Sequence, residues 1–166
     1  DAETLSKENI DLREMINEGI RMFEEHFGFR SLSTVAPNVT WADEAERIWA
    51  KNGIRYIQGG FIQNASYVKK EKHIAHYLGE KSRWGGTYLV RNVTFEPVRA
   101  KSEDYWKISL KQIKRAFSFN TPAIISCHRV NFVSAIDELN RLHGLAQLNK
   151  LLTAVRAEWP DVYFLS

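Results

Sequence analysis

Apolar residues recur along the chain at two alternating periods, and the switches between them mark out its elements. Leu12, Ile16, Ile20, Phe23 and Phe27 lie at steps of four and three within residues 8–27, which predicts an amphipathic helix ended by Gly28. "SLSTVAP" predicts a short strand stopped by Pro37. Thr40 precedes Asp43 at capping-box spacing, and Trp41, Ala45 and Ile48 predict a helix face closed by Gly53. "IRYIQ" (54–58) predicts a strand broken by Gly59 and Gly60.

Residues 61–85 show neither period and predict a long, irregular polar connection. "GTYLVRNV" (86–93) predicts a strand leading into Glu96 and Pro97. Ser102, Glu103 and Asp104 predict a helix start, with Trp106, Leu110, Ile113 and Phe117 as the buried stripe. "AIISC" after Pro122 predicts a further strand, and Ser134 stands at capping distance from Asp137. Leu139, Leu142, Leu148, Leu151, Leu152 and Val155 predict a long helical region jointed near Gly144, and "VYFL" a last strand.

Strand and helix alternate from end to end, so an α/β fold is expected, with a mostly parallel sheet and crossover helices, open or closed into a barrel. In either arrangement function sits at the carboxyl ends of the strands. That directs attention to Asn38, Gln58 with Gln63, Asn92 with Glu96, and His128 with Asn131.

Composition narrows the classes. With 166 residues, 44% of them hydrophobic and 26% charged, the sequence reads as a single globular domain over residues 1–166. A net charge of +3 from dispersed residues argues against a nucleic-acid partner, and no apolar run is long enough to span a bilayer. The lysine-rich stretch "YVKKEKHIAHYLGEKSRW" could grip an acidic polymer, but Glu71 and Glu80 dilute it. Cys127 is the lone cysteine, and within an apolar strand it reads as packing. His73 and His76 would share a face on a helix, yet a zinc site needs a third ligand. His128, at the end of a strand, carries an imidazole suited to proton exchange near neutral pH, with Glu96 or Ser126 as its orienting partner. Asn38 and Asn131 offer amides to sugar hydroxyls, and Trp84 a surface on which a sugar could stack, whereas Trp41 belongs to a helix stripe and reads as core.

"FEEHFGFRSLSTVAPNVTWADEAERIWAKNGIRYIQGG", "RNVTFEP", "PAIISCHRVNFV" and "NRLHGLAQLNKLLTAVRAEWPDVYFLS", in order over nearly the whole chain, together resemble the carboxyl-terminal half of polysaccharide deacetylase-like proteins, a group found among bacterial proteins of polysaccharide metabolism. The resemblance implies part of a (β/α)7 TIM-like barrel and a metal-dependent hydrolase acting on N-acetylated or O-acetylated sugars. It places "VAPN" (35–38) at the groove motif, with Ala36 where the family has Arg, and "SCH" (126–128) at the histidine motif. His128 becomes the general acid, Glu96 stands in for the missing Asp-x-x-Asp-Trp motif, and Pro37, Asn38, Asn92, Asn131 and Trp84 become substrate-binding candidates. A divalent metal, zinc or similar, is implied, with no ligand in this chain. The family's aspartate and metal-binding motifs would precede residue 1, so the chain is expected to be inactive alone, its amino-terminal half supplied by another polypeptide or a second copy. The alternative is a non-catalytic carbohydrate-binding or interaction module.

Overall fold

The computed structural model describes residues 11–67, 70–100, 104–133 and 137–165. These fall into two compact units, Asp1–Arg91 and Asn92–Ser166.

In the first unit, helix α1 (Leu12–Phe27) begins where Asp11 accepts from the Arg13 backbone N–H at 2.8 Å and ends at Gly28, whose φ is +73°. Strands β1 (Ser33–Val35), β2 (Tyr56–Gly59) and β5 (Thr87–Val90) form a parallel sheet in the order β1-β2-β5. Helix α2 (Asp43–Lys51) joins β1 to β2 and carries three acidic residues in its first turn, where the helix dipole favours them. Its start differs from expectation. The cap position is Ala42, with no side-chain bond, because Thr40 Oγ1 donates to the Asn38 carbonyl at 3.2 Å instead. Trp41, Ala45, Trp49, Ile54, Ile57, Tyr88 and Val90 make the core, against which Leu12, Ile16 and Ile20 of the α1 stripe pack.

The largest departure from the predicted elements lies at 61–85. Residues there build an antiparallel hairpin, β3 (Ile62–Tyr67) with β4 (Lys70–Ala75), paired Asn64↔His73 and Ala65↔Lys72. Its inward positions are Gln63 and Ala65 and, just past β4, His76, so the buried face carries no alternation of large apolar residues to recognise. His73 therefore sits on a ribbon and His76 just beyond it, rather than both on a helix. His73 meets Asn64, while His76 lies buried beside Gln63 and Glu80.

In the second unit, β6 (Val93–Thr94) pairs in parallel with β7 (Ile125–Ser126), Val93 opposite Ile125 and Thr94 opposite Ser126. The expected strand 86–93 is thus two strands in different units, and the expected strand 123–127 is shorter. Asn92 accounts for that shortening: its amide donates to the Pro122 carbonyl at 2.9 Å and accepts from Ile124 N–H at 2.8 Å, in place of ladder bonds. Helices α3 (Pro97–Ala100), α4 (Tyr105–Ser118) and α5 (Glu138–Glu158) complete the unit. Val93, Phe95, Tyr105, Ile113, Leu151 and Val155 form its core, with Trp106, Leu110 and Phe117 of the expected stripe packed on it. Each such buried apolar side chain stabilises by about 1.5–3 kcal/mol.

Ser102, Glu103 and Ser134 lie outside the described residues. Asp137 itself caps α5, accepting from Leu139 N–H at 2.9 Å. No joint occurs at Gly144, since α5 runs through it. "VYFL" is not a strand, and Tyr163 and Leu165 stand in solvent.

Candidate active site

Register places the site chemistry. Thr94 lies opposite Ser126 in the parallel pair β6–β7, so the residues two further along each chain, Glu96 and His128, leave the sheet at the same level. Both are at carboxyl ends of strands. The Glu96 carboxylate is 4% exposed, and its Oε1 accepts from His128 Nδ1 at 2.5 Å. A carboxylate can only accept, so Nδ1 carries the proton and Nε2 is left to act outward. The His128 side chain is 64% exposed, which leaves Nε2 open to a ligand. Charge-assisted bonds of this kind are short and directional, and they set the plane of the ring.

Asn131 closes the arrangement from below. It ends a short 3-10 turn (Arg129–Asn131) and is fully buried. Its Nδ2 donates to Glu96 Oε2 at 2.9 Å and to the His128 carbonyl at 2.8 Å. Both hydrogens of that amide are therefore engaged by protein, as is the Asn92 amide. Cys127 is half-buried beside Asn131, whose Nδ2 stands 3.6 Å from its Sγ, and burial, reinforced by the negative charge of Glu96, pushes its thiol up from the ordinary value.

The other candidates lie in the first unit. Pro37 opens a short turn, and Asn38 follows at φ +52°, exposed, its carbonyl accepting from Thr40 and from Asn64 Nδ2 at 3.3 Å. Val39 is also left-handed at φ +57°, a conformation that β-branched residues rarely adopt. Trp84, expected to be exposed, is half-buried: its Nε1 donates to Asp43 at 3.0 Å and the Arg83 guanidinium stands 5.1 Å over its ring. Trp41 is core, as expected, although it precedes α2 rather than lying on its face.

Sequence reasoning missed a buried polar network in this unit. Trp41 Nε1 and Tyr88 Oη both donate to Glu46 Oε1 at 2.7 Å, and Glu46 is 5% exposed. His76 stacks on Tyr88 with ring centroids 3.7 Å apart. Burial, then the bond to Glu46, pushes the Tyr88 phenol well above its ordinary value. No spacing in the sequence signals this cluster, because its members come from α2, the hairpin and β5. Among the described residues no group of three His, Cys, Asp or Glu side chains is arranged to hold a metal ion.

A model of glycosyl hydrolase family 57 matches residues 4–130, well over half of the chain and including both Glu96 and His128. The chain belongs to this family. No curated protein and no solved structure matches it. Membership in family 57 overturns the polysaccharide deacetylase resemblance, and with it deacetylation and the metal dependence that the resemblance implied. It lends no specific support to a non-catalytic module either. "VAPN" and "SCH" misled because they are short strings at strand ends, where any α/β hydrolase gathers polar residues.

Proposed function

We propose that this chain is part of a glycoside hydrolase, cleaving glycosidic bonds in a carbohydrate polymer or oligosaccharide, and that His128 Nε2 contacts a sugar hydroxyl there. The family 57 match over residues 4–130 carries the reading, and the exposed His128 ring held by Glu96 at the carboxyl ends of β6 and β7 supports substrate contact there. The parallel strands and their helices fit portions of a (β/α)7 barrel, whose chemistry lies at the carboxyl ends of its strands.

Glycosidic cleavage commonly uses two carboxyl groups flanking the bond, helped by hydrogen bonds to ring hydroxyls that tighten in the transition state. Glu96 is buried behind the imidazole and holds it rather than facing a ligand. It is therefore a positioning residue, and His128 supplies one of those hydroxyl contacts, accepting at Nε2 while Nδ1 donates to Glu96.

Release of reducing ends from soluble α- and β-linked glucans tests the reading. Turnover is expected to need no added metal and to fall about 10-fold in His128→Ala, the worth of one hydrogen bond to the substrate at about 1.4 kcal/mol. Acetate release from N-acetylated oligosaccharides without new reducing ends would overturn it.

A further inference from the structure

Asn131 ties three stretches of the second unit together. Besides the short donations from Nδ2 to Glu96 Oε2 and to the His128 carbonyl, with Cys127 Sγ a longer third acceptor at 3.6 Å, its Oδ1 accepts from Val98 N–H at 3.2 Å, in the first turn of α3. Few short side chains can do this, because it takes two donors and an acceptor in one plane. A glutamate side chain turns about three bonds and would otherwise swing. With Oε2 pinned, Oε1 has one direction left, toward Nδ1. The second N–H pins the backbone from which the imidazole projects, so both ends of the Glu96–His128 bond hang from one amide.

We propose that Asn131 is the positioning residue of the Glu96–His128 pair: it fixes the carboxylate, and through it the tautomer and outward aim of the imidazole. This deepens the reading of His128 as the sugar-contacting group, and it turns Asn131 from a substrate-binding candidate into a support. A residue that merely filled the turn would change stability on replacement and leave the ring as it was.

The ring therefore supplies the test. In the 15N-labelled chain, His128 should show a protonated Nδ1 with a downfield, slowly exchanging proton, assigned by its loss in His128→Ala. Asn131→Asp keeps the shape but removes both donors and sets a second carboxylate against Glu96. In that variant, if folded by circular dichroism, the downfield proton is expected to vanish and the two ring nitrogens to average. Asn131→Ser, read the same way, decides if the aspartate variant does not fold. A folded variant with the Nδ1 proton unmoved would overturn the proposal, as would failure of both variants to fold, which marks a purely structural amide. The readout involves no sugar. If His128→Ala cleaved glucans at the parent rate, the sugar-contact reading would fall while the positioning claim stood.

Discussion

The carbonyl oxygen of Asn131 stands 1.8 Å from the point that a β-carbon on Gly144 would occupy. Helix α5 presents its one residue without a side chain to the turn that carries the candidate site. On helix propensity alone, alanine at this interior position would stabilise by roughly 0.5–1 kcal/mol. The contact reverses the sign, because backbone on one side or the other must move. Gly144→Ala is expected to destabilise the second unit by about 1–3 kcal/mol, as other over-packed sites do. Urea unfolding measures it, and a midpoint that rises would show that the turn yields freely.

Glu96 and His128 should separate in their effects on stability and on turnover. Glu96→Ala removes the acceptor of the buried Asn131 amide, and a buried donor left unsatisfied costs about 1–3 kcal/mol. His128→Ala leaves Glu96 Oε1 without its partner but lets water in where the exposed ring stood, so its loss should be smaller, about 1 kcal/mol. Both changes should reduce glucan hydrolysis. Thermal melts run beside reducing-end assays give the two numbers, and equal losses of stability would remove the distinction.

The helices were legible because their apolar stripes repeat at the helical period: Leu12, Ile16 and Ile20 in α1, Leu110, Ile113 and Phe117 in α4. The β3–β4 hairpin was not, since its inward face is made acceptable by polar pairing, Gln63 with His76, rather than by apolar alternation. At the site, the chemistry of Glu96 and His128 could be read as strand-end polarity. Their closeness could not, because it depends on the register of Thr94 against Ser126, which pairs residues 32 apart in the chain. Family membership was misjudged for a related reason. Strand-end strings report the fold's functional rim, and several hydrolase chemistries share that rim.

Alkaline titration reports on the first unit's hidden network. Burial and the bond to Glu46 hold the Tyr88 phenol above its ordinary value, so the folded chain keeps that proton at pH values where the unfolded chain has lost it. Its contribution to stability is fully present below about pH 10, the unfolded value, and declines as pH rises beyond that point. Tyr88→Phe should flatten this part of the stability–pH curve while lowering stability at neutral pH. Phenolate absorbance should show one tyrosine that ionises only with unfolding. Should all tyrosines ionise together near pH 10 in folded protein, the Tyr88 hydroxyl is not held as described.

Cys127 offers a chemical probe of the same corner as Glu96. Its thiol is pushed up first by burial and then by the nearby carboxylate, so the thiolate that reacts with alkylating agents is scarcer than in a free cysteine at the same pH. Iodoacetamide should modify the folded chain several-fold more slowly than the chain in denaturant at pH 8. Removing the negative charge lowers the electrostatic part of the barrier to ionisation. Glu96→Gln, which keeps the bulk at that position, should therefore shift the onset of alkylation to lower pH without exposing the sulfur. Mass spectrometry of quenched time points follows both rates. An onset unchanged by Glu96→Gln would mean that desolvation alone sets the thiol, and that the charge of Glu96 is spent wholly on His128 and Asn131.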